Sequence, residues 1–271
     1  MMDRPLFLVG CGKMGSAMLE GWLEMGMSPE HIHIIEPSAL IAEELRDRGL
    51  GAVTALSDLP ADLNPGIVLF AVKPQSMDQA VSAFAEYHLP NTTFLSIAAG
   101  KTISYFENIL GAKTAIVRSM PNTPAAVRHG ITVAMPSGNV TESQRKICST
   151  LLEAVGEVAW VDDEELIDAV TALSGGGPAY VFLLTECLVQ AGIDAGLPAE
   201  LSSQLARVTV SGAGELMRQS DETPSTLREN VTSPGGTTAE ALKVLMANDA
   251  WQSLMTRAIS AATARSKELA G

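Results

Sequence analysis

The chain has 271 residues, 46% hydrophobic and 18% charged, enough for one large domain or two ordinary ones around real cores. With 31 acidic against 18 basic side chains, its formal charge is −13, which repels phosphate backbones and argues against a nucleic-acid partner. Cys11, Cys148 and Cys187 are too few and too far apart for a disulfide framework or a zinc site, so no metal is expected.

The opening residues, MMDRPLFLVG, lack a basic stretch followed by a long apolar run, so no signal peptide is read there. The longest uncharged run, 169–185, contains Gly175-Gly176-Gly177-Pro178, which should break a membrane-spanning helix. The sequence therefore reads as a soluble, cytoplasmic protein with no membrane partner.

Short apolar runs at 6–9, 32–35, 67–72, 93–98, 115–118, 131–135 and 158–161 predict strands. Helix-period segments at 14–25, 40–48 and 76–87 lie between several of them. Such alternation predicts an α/β domain with a largely parallel sheet and right-handed crossovers. Thr141 with Gln144 predicts a capping box for a further helix, which Gly156 should end. Beyond Val161 no strand is predicted. Helices are expected at 164–173, 179–195, 199–219, 239–247 and from 251 almost to the end, with breaks at 175–177, 196–198, 223–224 and 234–236. This predicts a dinucleotide-binding domain over 1–162 and an all-helical domain over 163–271. Small apolar residues on several faces of the later helices predict a homodimer, or a larger oligomer built from dimers.

The first strand runs into Gly10-Cys11-Gly12-Lys13-Met14-Gly15 and a helix, the GxGxxG pattern in its proper strand–turn–helix setting. Gly10 permits the tight turn, Gly12 admits a pyrophosphate to the backbone, and Gly15 lets helix and strand pack closely. Glu36, at the end of the second strand with Ser38 beside it, suits the adenine ribose hydroxyls. Its charge repels a 2′-phosphate, which leans the expected NAD(P)H cofactor towards NADH. The alternative is that Glu36 caps Ser38 and the next helix. Val72-Lys73-Pro74, Ala98-Ala99-Gly100 and Asn122 follow later strands, where an open parallel sheet meets its ligand; ordinary turns are the other reading of each.

In the C-terminal half, Ser233-Pro234-Gly235-Gly236-Thr237-Thr238 precedes a predicted helix, with Thr237 and Glu240 spaced as a capping box. Free amides and hydroxyls there suit a small carboxylate, or else simply make a good helix start.

Taken together and in order, GCGKMG (10–15), VKPQ (72–75), RSMPNTP (118–124), LSGGGPAY (173–180) and SPGGTTAEAL (233–242) resemble the pyrroline-5-carboxylate reductase family over nearly the whole chain. The chain departs from the family at Gly176, where a small side chain such as Ser or Cys is usual. The resemblance implies a Rossmann domain followed by an all-α dimerisation domain, with each substrate pocket built by two subunits. It implies reduction of 1-pyrroline-5-carboxylate to L-proline, the last step of proline biosynthesis. It also implies that Ser233, Gly235, Gly236, Thr237 and Thr238 hold the substrate carboxylate, with catalytic Thr238 near the ring nitrogen, and that Glu164 and Asn230 lie close to the substrate. A β-hydroxyacid dehydrogenase shares this layout but needs a Lys on the helix after the second Gly-rich motif, and 178–195 contains neither Lys nor Arg. A dinucleotide-sensing protein would bind NADH without oxidising it.

Overall fold

The computed structural model describes residues 4–87, 89 and 91–270. They fall into two compact units, one formed by residues up to 175 together with those from 262 onward, the other by 176–261.

The first unit is built on one eight-stranded sheet. Its strands are β1 (Leu6–Val9), β2 (Ile32–Ile35), β3 (Gly51–Val53), β4 (Ile67–Phe70), β5 (Thr93–Ser96), β6 (Ala115–Met120), β7 (Gly130–Pro136) and β8 (Gly156–Trp160), in the order β3-β2-β1-β4-β5-β6-β7-β8. β1 to β6 are mutually parallel. β7 runs antiparallel to β6 and parallel to β8. The reversal follows from chain length: 121–129 is shorter than the dozen or so residues a parallel crossover needs.

Side-chain alternation decides which helix covers which face. Leu6, Leu8, Ile32, Ile34 and Leu69 pack with Met18, Leu19 and Trp22 of α1 (Lys13–Glu24), and with residues of α2 (Ala39–Asp47) on the same side. Phe7, Val9, Val68 and Phe70 turn the other way, onto Met77 and Val81 of α3 (Met77–Ser82) and Ile103 and Phe106 of α4 (Ile103–Leu110). Cys148, Leu151 and Leu152 of α5 (Glu142–Glu153) join the α1 side, where the Leu151 carbonyl accepts the Trp22 indole N–H at 2.8 Å. With both faces buried, the strands read as continuous apolar runs. α6 (Leu166–Val170) continues through a π-helical turn, Thr171–Gly175, to the end of this stretch.

The second unit holds α7 (Gly177–Asp194), α8 (Ala199–Gln219), α9 (Pro224–Asn230), α10 (Thr237–Leu245) and most of α11 (Ala250–Ala270). α7 and α8 form an antiparallel pair, pinned where Ser202 donates to the Val189 carbonyl at 2.7 Å. Of the side chains on these two helices only Ser202 and Ala206 are buried, while Phe182 is 63% exposed and Leu183, Leu205 and Val208 are exposed with it. The apolar surface expected of these helices is present, and one chain does not cover it.

Several expectations need correction. Gly175-Gly176-Gly177-Pro178 does not break the helical path: Gly176 is right-handed and Pro178 sits in the first turn of α7, where its missing N–H is harmless. Residues 166–194 are long and apolar enough, by length and composition alone, to cross a membrane, but the first turns bury Ile167 and Ala172 in the sheet unit. Helix 76–87 shrinks to α3, and Gly156 opens β8 at φ +140° after α5 has already ended. β3, α4 and α9 were not expected; the first is three residues long, and Pro224 starts α9 instead of marking a break. By packing alone, 163–175 and 262–270 group with the sheet.

Gly21 shows how closely α1 lies on the end of α5. A Cβ there would come within 2.5 Å of the Ala154 carbonyl oxygen. Helix propensity favours Gly21→Ala by about 1 kcal/mol, but overpacking against a fixed backbone costs about 1–3 kcal/mol. The variant should therefore lose net stability in urea unfolding; a gain would mean that α1 slides freely on α5.

Candidate functional site

The carboxyl ends of β1, β4, β5 and β6 lie along one edge of the sheet, as parallel pairing requires. Four turns leave that edge: 10–12, 71–73, 97–102 and 121–122. A cavity of about 430 Å³ lined by Asn91, Phe94, Lys113 and Ala115 opens at the opposite edge and is not part of this arrangement.

Gly10 takes φ +89°, and a Cβ would meet Val72 Cγ1 at 2.7 Å, so the turn tolerates no side chain. At Gly15 a Cβ would lie 2.5 Å from the Gly10 carbonyl oxygen, and this contact sets the spacing of α1 from β1. Gly12 differs, with nothing within 4 Å of its Cβ position. It is the N-cap of α1, no side chain caps the helix, and no acidic residue sits in the first turn. Open space over unpaired amides at the positive end of a twelve-residue helix fits a dinucleotide pyrophosphate. Lys13 is exposed at that end, with Met14 half-buried behind it.

Glu36 is buried and both its oxygens are engaged. Oε2 accepts the Cys11 amide at 2.7 Å and Oε1 accepts the Ser38 amide at 2.9 Å. Ser38 in turn caps α2, its hydroxyl accepting the Ile41 amide at 3.5 Å. The capping role weighed for Glu36 is thus present, joined to a bond across to the glycine turn. Burial first, and the Glu36 carboxylate next, push the Cys11 thiol up to about 11, so it stays protonated and unreactive at neutral pH.

Val72 packs on Gly10, and exposed Lys73 and Pro74 begin a short 3₁₀ turn. Ala98 is buried, Ala99 half-buried, and Gly100 takes φ +74°, with the Leu269 carbonyl oxygen 3.1 Å from where a Cβ would stand. Lys101 Nζ bonds Asp78 at 2.9 Å and lies 4.1 Å over the Tyr105 ring, while Tyr105 also donates to Asp78 at 2.7 Å. The Tyr105 and Lys101 hydrogen bonds hold the Asp78 carboxyl below its usual range. Asn122 has both ends of its amide engaged: Oδ1 accepts the Ile131 amide at 2.9 Å, and Nδ2 donates to Ser174 at 3.2 Å.

Glu164 also belongs to the sheet unit. Its Oε1 accepts from Arg118 Nη1 at 2.8 Å and from the Ile103 amide at 2.8 Å. Arg118 enters the sequence reading only as part of a motif; the signal for its role is a cation inside a buried strand, AIVRSM.

In the second unit, Gly235 takes φ +67° and the Gly236 amide bonds the Ser233 carbonyl at 3.0 Å. Gly236, not Thr237, is the N-cap of α10, and no side chain caps it. The expected Thr237–Glu240 capping box is therefore absent; Thr237 is already inside the helix and Glu240 bonds Lys243 at 2.6 Å. This leaves the amides of α10, like those of α1, without a side-chain acceptor, with exposed Thr237 and Thr238 in the first turn. Asn230 ends α9 and donates to Glu222 at 2.9 Å. α7 carries neither Lys nor Arg, and among the described residues no cluster of His, Cys, Asp and Glu is arranged for a metal.

Residues 164–269 match the family described as pyrroline-5-carboxylate reductase dimerisation, and residues 6–100 the family described as NADP oxidoreductase coenzyme F420-dependent. A pyrroline-5-carboxylate reductase of Pseudomonas aeruginosa is 38% identical, covering 99% of this chain and 98% of its own. The structure of one from Coxiella burnetii, 32% identical, covers both chains fully with a TM-score of 0.93. That of a Plasmodium falciparum pyrroline carboxylate reductase with NADP bound, 31% identical, also covers both fully, with a TM-score of 0.83.

Proposed function

The chain belongs to the pyrroline-5-carboxylate reductase family, oxidoreductases of proline biosynthesis, and we propose the following division of work among its residues in reducing 1-pyrroline-5-carboxylate to L-proline. The observation that carries the reading is that α1 and α10 each begin at a glycine in extended conformation, unlike the right-handed Gly176 before α7, and offer amides that no side chain of the protein accepts.

In this reading α1 and the 10–15 turn hold the cofactor pyrophosphate, with Glu36 and Ser38 at the adenine ribose. Residues 72–74, 98–100 and Asn122 border the nicotinamide end. A nicotinamide bound there would supply a hydride to the imine carbon of the ring, the carbon double-bonded to nitrogen. The first turn of α10, with Ser233, Gly235, Gly236 and Thr237, takes the substrate carboxylate, and Asn230 stands at the end of the preceding helix. The Thr238 hydroxyl bonds the ring nitrogen. A hydroxyl of ordinary pKa is a poor acid, so Thr238 orients the ring while the proton of the iminium stays on nitrogen, and hydride addition then yields the secondary amine directly. Positioning carries the catalysis, with no metal and no covalent nucleophile.

The exposed apolar helices of the second unit, in a segment that matches a dimerisation family, make an oligomer of the chain. We take the unit to be a homodimer in the cytoplasm, from which larger assemblies grow. Sedimentation at low micromolar concentration should find no stable, active monomer; a fully active monomer would overturn this assignment.

The charge of Glu36 favours NADH, since each oxygen retains a lone pair for a ribose hydroxyl while a 2′-phosphate would face a carboxylate. In Glu36→Ala the ratio of kcat/KM for NADPH over NADH should rise by about 1–2 kcal/mol, roughly tenfold. Affinity for both cofactors should fall as the Cys11 amide loses its acceptor. A wild type that strongly prefers NADPH in paired assays with pyrroline-5-carboxylate would remove this role.

Thr238→Ala should lower kcat/KM for the imine about ten- to a hundredfold, from a lost bond of about 1–3 kcal/mol, with NADH affinity unchanged. Thr237→Ala should leave the melting temperature unmoved, because Thr237 caps nothing. Wild-type kcat/KM in Thr238→Ala would return 233–238 to a purely structural helix start.

A further inference from the structure

The far end of α1 is closed by a glycine. Gly26 takes φ +84°, its amide donates to the Leu23 carbonyl at 3.0 Å, and the Met27 amide donates to the Trp22 carbonyl at 2.9 Å. This pair of bonds is the left-handed closure that glycine favours after a helix, and it turns the chain towards Pro29 and β2. Between that turn and one face of α5, residues 146, 147, 150 and 151, a cleft of about 330 Å³ remains. Its volume is at the low end of the range that small-molecule sites occupy. It stands about 18 Å along the twelve-residue α1 from the glycine turn at 10–15, so it is no part of the site described above.

Trp22, Met25, Met27, Ile147 and Leu151 make the cleft apolar inside. The indole N–H of Trp22 is already given to the Leu151 carbonyl at 2.8 Å, so Trp22 has only apolar surface to offer. Two thioethers beside an indole suit an aromatic ring, because unbranched Met adapts its shape and sulfur packs favourably against aromatic edges. The mouth has a different character. Lys146 and His31 line it, both exposed, and no Asp or Glu does. Glu24 and Glu30 are close in sequence, but neither lines the cleft, and Glu24 is held by Arg128 at 3.0 Å. Lys146 makes no ion pair among the described residues. In a chain with 31 acidic against 18 basic side chains, an apolar cleft whose only ionisable lining is basic selects for an anion.

We propose that this cleft is a further binding site, for a small aryl carboxylate. The ring sits against Trp22 and the two methionines, and the carboxylate meets Lys146 and His31 at the mouth. Burial of the ring supplies most of the affinity. The ion pair is open to water, so it discriminates charge by only about two- to fivefold.

The test is a ligand-observed NMR titration of the full-length protein with 4-phenylbutyrate, 4-phenylbutanol and 4-phenylbutylamine. Each is run with and without saturating NADH and L-proline, which fill the active site and do not react together. The acid should bind with a Kd of about a millimolar or tighter, whether or not the active site is filled. The alcohol should bind about two- to fivefold more weakly and the amine about tenfold. Lys146→Glu should weaken the acid about tenfold. Thr150→Trp, which fills the cleft from α5, should weaken acid and alcohol alike. Both positions are exposed, so both variants should keep the wild-type melting temperature and imine kinetics. The proposal is overturned by no saturable binding of the acid up to about 10 mM, or by its displacement when the active site is filled. An alcohol and amine that match the acid would overturn it too, as would full affinity for the acid in either variant. Lys146→Glu decides alone if Thr150→Trp does not fold.

Discussion

A carboxylate bonded on both oxygens to backbone amides is the constraint on which the cofactor end depends. Glu36 joins the Cys11 amide in the glycine turn to the Ser38 amide at the start of α2, so the ends of β1 and β2 cannot separate. Gly10 and Gly15 can then press against Val72 and against each other, which fixes the distance from β1 to α1. Gly12 is left as the one glycine of the motif with open space above it. The turn is closely packed at Gly10 and Gly15 and open at Gly12.

Four of the other helices are closed by side chains. Ser38, Thr102, Thr141 and Thr223 accept first-turn amides of α2, α4, α5 and α9. α1 and α10 instead begin at glycines, and both are long enough for their first-turn amides to carry the positive end of a helix dipole. A side-chain cap would fill an acceptor position that an anionic ligand can take. An extended glycine N-cap without a side-chain acceptor thus occurs at α1 in one unit and at α10 in the other.

Sequence reasoning recovered what is local. The strand–turn–helix of 6–24, the Thr141–Gln144 capping box and the change to helices after Val161 each depend on residues close in the chain. It failed where a local pattern met a competitor. Thr237 and Glu240 have capping-box spacing, but Gly236 takes the cap and Lys243 takes the carboxylate. Pro224 looked like a stop, yet proline suits a first helical turn as well as it suits a break. The Arg118–Glu164 pair joins residues 46 positions apart, and only the lone cation in a buried strand hinted at it. Asn122 was legible as a residue at the carboxyl edge of the sheet, but not as a latch between β7 and Ser174.

The chain leaves the sheet unit after 175, builds four helices and most of a fifth, and comes back with 262–270. The returning stretch is integral to the first unit: Ser266 is buried against Asp168, and the Leu269 backbone lies against Gly100. During synthesis on the ribosome, the sheet and its glycine turn can therefore form early, while the wall beside Gly100 waits until the whole helical insertion has been translated. A nascent chain at that point would carry the 10–15 turn assembled and the 98–100 turn without the Leu269 backbone beside it.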